Sequence, residues 1–341
     1  MSKALIPKAG NTLGRGKKCL VPLAVSGSGP HAAKRFIEFF TANIRNPNTR
    51  RAYLRAVTDF FNWLQKRGVG DLSIVQPVHV AAYVEQLCRT HAAPSVKQHL
   101  AAIRMLFDWF ILGQVVAVNP AAAVRGPSYS AKKGKTPVLS SEEARGLLDS
   151  IPIVKIVRLK DGTEKEEVVL VGLRDRALIG LMVFTFARVG AAISMKVEDY
   201  YTQGRRFWVR LHEKGGKRHE MPCHHNLDAY LSAYIEAAGI GLDKKGPLFR
   251  TAAGKTEVLT KNPMAQADVY QMIKRRTKDS GIETEMCCHT FRATGITTYL
   301  TNGGKLEVAQ QMAPHESART TGLYDRRGDT ISLDEVERIV I

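Results

Sequence analysis

NTRRAYLRAVTDFFNWL (residues 48–64) sets Tyr53, Val57, Phe60, Phe61 and Leu64 on one face at spacings of three and four, the period of an amphipathic helix. Upstream, Phe36, Ile37, Phe40 and Ile44 repeat that period. Downstream, SVKQHLAAIRMLFDWF (95–110) reads as a further helix. Pro47, Pro77 and Pro94 stand at helix starts, because proline is tolerated in a first turn and not in an interior. Four helices follow, over 30–44, 48–67, 77–90 and 95–112. Before them, residues 1–28 carry five basic side chains and no acidic one and run into SGSGP (26–30), which reads as a flexible basic tail.

Two Asn/Gly/Pro clusters around a lysine run, NPAAAVRGP (119–127) and SAKKGKTP (130–137), mark an interdomain linker. The division expected is a tail at 1–28, a helical domain at 29–128, a linker at 129–138 and a second domain at 139–330. In that second domain LSSEEARGLLDS (139–150) opens with a serine cap and an acidic first turn, hence a helix. KIVRLKDGTEKEEVVLVG (155–172) reads as a hairpin around Asp161-Gly162, and 206–212 with 217–222 as another around EKGGK. Helices are expected at 173–185, 225–239, 264–280, 289–302 and 305–313. The fold class is mostly α with small β elements, an α+β arrangement.

The chain has 341 residues, with 50 basic and 32 acidic side chains and a formal charge of +18. That excess, spread along the chain, points to a polyanionic partner. No apolar run reaches the roughly 18 residues a membrane span needs, and the first residues lack an export signal, so a cytoplasmic, nucleoid-associated protein is expected. Five scattered cysteines read as reduced thiols, and Cys223-His224-His225 and Cys287-Cys288-His289 are too contiguous to converge on one metal ion.

One set of residues carries chemistry: Arg188 in FTFARVGAAI (184–193), Lys214 in HEKGGKRHEMP (212–222), His289 and Arg292 in CHTFRATG (288–295), and His315 and Tyr324 in MAPHESARTTGLYDRR (312–327). Two arginines, two histidines, a lysine and a tyrosine without a carboxylate cluster suit phosphoryl transfer without a metal. Planar guanidinium groups grip the nonbridging oxygens of a phosphate transition state, the role given to Arg188 and Arg292. A tyrosine hydroxyl is a candidate covalent nucleophile, helped by nearby cations and by His289 or His315. A hairpin lysine can protonate the leaving oxygen; Lys214 is preferred, with Lys217 on the same hairpin as the alternative.

In this order and spacing the chain resembles the tyrosine recombinases, or phage integrase family, over roughly residues 30–330, with NTRRAYLRAVTDFFNWL, SVKQHLAAIRMLFDWF and NPAAAV resembling that family's helical core-binding domain. The resemblance implies a helical core-binding domain and a mixed catalytic domain that form a C-shaped clamp on duplex DNA. It implies a site-specific recombinase acting on double-stranded recombination sites, without cofactor, metal or ATP. Tyr324 is then the nucleophile that forms a 3′-phosphotyrosyl link, and Arg188 and Arg292 clamp the phosphate. Lys214 is the acid, and His289 and His315 assist. Four protomers exchange strands through a Holliday junction, with accessory DNA-bending proteins as further partners. Arg50, Arg51, Arg55, Lys97 and Arg104 of the helical domain and Lys132, Lys133 and Lys135 of the linker are the candidate DNA contacts.

Two positions depart from the family pattern: Ala191 stands where an acidic residue usually follows the first arginine, and Pro314 where a glycine usually precedes the later histidine. The hairpin at 154–171 matches no known motif. In 331–341, Ile331, Leu333, Val336, Ile339 and Val340 form an apolar face that packs on its own domain or, the preferred reading, on a neighbouring protomer. Two competing functions are a catalytically silent architectural DNA binder and the same chemistry run as a topoisomerase-like or telomere-resolving enzyme.

Overall fold

A computed structural model describes residues 21–130, 134–213, 216–254, 256–313 and 321–325. It divides into two compact units, 1–130 and 131–341.

The first unit is all helical. Helix α1 covers Leu23–Gly27, α2 Pro30–Glu38, α3 Pro47–Gln65, α4 Pro77–Thr90 and α5 Ala93–Leu112. Each proline expected at a helix start occupies a first turn. Asn46 caps α3 by accepting hydrogen bonds from the backbone N–H groups of Asn48 and Thr49, which leaves fewer first-turn donors unmatched. The segment expected as one helix over 30–44 widens into a π turn at Phe39–Asn43. Phe60, Phe61, Phe107 and Phe110 form the centre of the core, and Tyr83 of α4 packs edge-on against Phe60.

One expectation needs correction here. The tail assigned to 1–28 is ordered from Val21 onward: α1 buries Ala24 and Val25. Ser28 Oγ donates to the Ala24 carbonyl at 2.8 Å and accepts from the Leu72 N–H at 3.2 Å. Val21, Ala24 and Val25 supply enough apolar surface to outweigh the Gly/Ser composition that suggested a linker. Residues 1–20 lie outside the described residues.

In the second unit α6 spans Ser141–Asp149, with Ser140 and Glu143 forming a reciprocal capping box. Strands β1 (Val154–Arg158) and β2 (Glu164–Val168) form the first hairpin. Helix α7 (Leu170–Phe184) is buried on nearly every side and is the spine of the unit. Helix α8 (Val189–Ile193) follows at once, then β3 (Tyr200–Gln203), β4 (Arg206–His212) and β5 (Arg218–Pro222) in an antiparallel sheet of that order. Helix α9 spans His225–Ala237, β6 (Arg250–Ala252) pairs with β7 (Leu259–Pro263), and α10 (Gln266–Ser280), α11 (Cys288–Thr301) and α12 (Leu306–Met312) complete it. The α+β class therefore holds, with α8, β3 and the β6–β7 pair beyond the elements expected.

Two features fix the packing around α7. A Cβ on Gly295 would meet the Val183 carbonyl at 2.1 Å, so α11 approaches α7 closely only because that position is glycine. Asp175 on α7, fully buried, accepts from Arg174, Arg275 and Arg276 and ties α10 to the spine. Among the described residues no helix is long and apolar enough to cross a membrane.

Candidate active site

The chain leaves α7 through Phe186, whose φ of +55° is a conformation a bulky side chain rarely adopts. That turn presents the Phe186 carbonyl to Arg292 and sets Arg188 as the residue before α8. Arg292, 1% exposed, donates from Nη1 to Phe186 O and from Nη2 to Ala313 O at 3.0 Å. Two carbonyls on different elements thus hold its guanidinium plane. Burial pushes the Arg292 pKa down to about 10, and the Arg188 charge pushes the same way; Glu213 and a side-chain hydrogen bond with Tyr324 oppose the fall. Arg292 remains a cation at neutral pH.

Arg188 Nη1 lies 2.5 Å from Glu213 Oε2, and the exposures are unequal: 35% for the arginine side chain, 2% for the glutamate. Glu213 immediately follows β4, and its N–H donates to the Lys217 carbonyl at 2.8 Å across the turn. His289 lies in the first turn of α11. Burial of its ring, then the charges of Arg292 and Arg188, hold the imidazole below its usual pKa, so it is neutral at pH 7 and able to accept a proton.

Tyr324 packs against a small apolar cluster of Phe186, Ile296, Leu300, Ala309 and Ala313. Its carbonyl accepts from Thr297 Oγ1 at 3.0 Å, tying the tyrosine segment to α11. Arg188, His289 and Tyr324 thus each lie near enough to Arg292 to interact with its charge. Lys214 and His315 lie outside the described residues. Arranged so, two guanidinium groups, a neutral imidazole and a phenol can receive a phosphodiester: cations for its oxygens and a nucleophile for phosphorus.

Glu213 was not among the residues singled out from sequence. The only signal was an acidic residue directly before the hairpin lysine, and its pairing with Arg188 depends on a contact 25 residues away in the chain. Among the described residues no group of three His, Cys, Asp or Glu side chains is placed to hold a metal. His224 instead caps α9 and stacks on Phe184 at 4.3 Å between ring centres.

The basic side chains proposed for DNA are placed unequally. Arg51, Arg55 and Lys97 are exposed in the helical unit, and Lys135 is exposed past its end. Arg50 donates to the Ile44 carbonyl. Arg104 donates to the carbonyls of Ala121 and Val124, so its guanidinium clasps the 119–124 segment onto α5. Lys132 and Lys133 lie outside the described residues.

Residues 33–115 match the model described as "Phage integrase, N-terminal SAM-like domain", and 157–330, just over half of the chain, match "Phage integrase family". Tyrosine recombinase XerD of Corynebacterium glutamicum is 28% identical over 287 residues, covering 81% of this chain and 86% of that protein. The Mycobacterium leprae XerD is 27% identical over 292 residues with the same coverages. Among solved structures, the XerH site-specific recombinase bound to a palindromic difH substrate superposes with a TM-score of 0.63 at 19% identity, covering 85% of this chain and 78% of that one. A lambda integrase (75–356) dimer on a COC′ core site gives 0.62 at 18%, covering 88% and 97%; likenesses this distant speak to the fold. With both units matched in turn and a tyrosine set beside paired arginines, the chain belongs to the phage integrase family and is a tyrosine site-specific recombinase.

Proposed function

We propose that this recombinase cuts and rejoins duplex DNA at a specific site through a covalent 3′-phosphotyrosyl intermediate on Tyr324. Arg188 and Arg292 hold the nonbridging oxygens of the scissile phosphate while the Tyr324 oxygen attacks phosphorus. The Oη–P bond forms as the P–O5′ bond breaks, and the leaving 5′ oxygen takes a proton from Lys214. His289 and His315 accept the phenol proton or hydrogen-bond the phosphate. Attack by a 5′-hydroxyl then reverses the step, and because the phosphotyrosyl bond conserves the phosphodiester, neither ATP nor a metal is needed. The observation that carries this reading is the Arg292 guanidinium, oriented by two carbonyls and hydrogen-bonded to Tyr324.

On the same reading each unit contacts the duplex, with Arg51, Arg55, Lys97 and Lys135 meeting phosphates. Four protomers then exchange strands through a Holliday junction. Residues 331–341 lie outside the described residues; on this reading their apolar face serves contact with a neighbouring protomer. Removing them is expected to weaken synapsis, seen by light scattering on DNA, while single-site binding persists; unchanged assembly would defeat that contact.

The central test uses a suicide substrate nicked beside the cleavage position. The wild-type chain is expected to become covalently attached to DNA in the presence of a chelator, and Tyr324→Phe to bind without attachment. Attachment that survives Tyr324→Phe sinks the assignment, and binding with no attachment under any condition favours a silent architectural protein.

A further inference from the structure

Two guanidinium groups in one site repel each other, and Arg188 depresses the Arg292 pKa accordingly. A counter-ion is needed to hold Arg188 in place. The position three residues on, where a side chain at the start of α8 shares a face with Arg188, is Ala191, buried and without an acceptor. The carboxylate that does reach Arg188 comes from the hairpin: Glu213 Oε2 at 2.5 Å from Nη1.

Glu213 is unusual for a structural ion pair. Its side chain is almost fully buried, while the partner arginine's side chain is about one-third exposed. Its other oxygen, Oε1, is buried with no hydrogen-bond partner among the described residues. A buried carboxylate satisfied on one side alone is a stability liability. Its placement makes sense through Arg188 and through the residue that follows it, Lys214.

We propose that Glu213 is the positioning residue for Arg188, reaching from the end of β4 to fix the guanidinium that the α8 position occupied by Ala191 cannot hold. Glu213 thereby also couples the hairpin carrying Lys214 to the arginine pair. The inference rests on the reading of Arg188 as a phosphate-gripping group.

The test measures single-turnover attachment to the nicked suicide substrate, duplex-site affinity and the thermal unfolding midpoint. Glu213→Gln is expected to bind the site within about threefold of wild type yet to cleave about 10²-fold more slowly, the scale of a misplaced catalytic group. Adding Ala191→Glu to Glu213→Gln restores most of the rate, a rescue that a purely structural role does not predict. Because a glutamate at buried Ala191 can disturb folding, a second comparison stands beside it. In an Arg188→Lys background, adding Glu213→Gln is expected to cost less than threefold, because Glu213 acts through the guanidinium. Glu213→Gln cleavage within threefold of wild type, or full additivity with Arg188→Lys, overturns the inference. If the wild type never attaches, or Tyr324→Phe still does, it is the underlying reading that fails.

Discussion

His289 and His219 are both held below the ordinary histidine pKa, chiefly by burial. Arg292 adds to the effect at both, whereas Glu213 opposes it at His219. A group whose folded-state pKa is depressed binds fewer protons folded than unfolded, so it favours the fold above its unfolded value of about 6.5 and that contribution fades as pH falls through the folded value. The unfolding midpoint is therefore expected to drop as pH is lowered from 7.5 to 5.5. His219→Asn should flatten that slope, as differential scanning calorimetry across the range would reveal. At the same scale, the residues of the candidate site, Arg188, His289, Arg292 and Tyr324, could be named from their types, their order and the family resemblance. Glu213 could not, because nothing local distinguishes it from the other hairpin charges.

Helix α7 shows how an element is fixed by partners that sequence cannot pair. Its apolar run predicts burial, but Arg174 and Asp175 sit inside that run as if misplaced. Their resolution is a network with Arg276 of α10, 101 residues away, at 2.8 Å. Asp175→Ala leaves Arg174 and Arg276 buried without their acceptor, and the cost is expected near 3–5 kcal/mol, read from urea denaturation. A loss below about 1 kcal/mol would mean the arginines find other acceptors. Most long elements were readable because period and caps are local signals: α3, α4, α5 and α6 fall within a few residues of expectation. The short ones were not. Strand β3 and helix α8 hold only four and five residues, too few for a period to show.

Over the whole molecule the charge of +18 sets how binding responds to salt. If the two units together contact about 6–10 phosphates, affinity for a duplex site should fall roughly 10³–10⁵-fold between 50 and 200 mM salt. Substituting alanine for Arg51 or Lys97 should lessen the slope of log K against log salt by about one each, whereas Arg104→Ala should act through stability, since its guanidinium clasps 119–124. Fluorescence anisotropy titrations over that range distinguish the two behaviours, and an unchanged slope for both surface variants would remove them from the DNA-facing set.

The sequence by itself determined the helical period of the first unit, the α+β character of the second and the order of the side chains in the candidate site, because each is written in spacings of a few residues. Only the tertiary structure decided that Val25 belongs to a core, that Arg104 faces carbonyls, and that Glu213 stands against Arg188 where Ala191 offers nothing. Those outcomes depend on which distant atoms compete for the same buried space and charge, and such competition is settled only when the chain is packed.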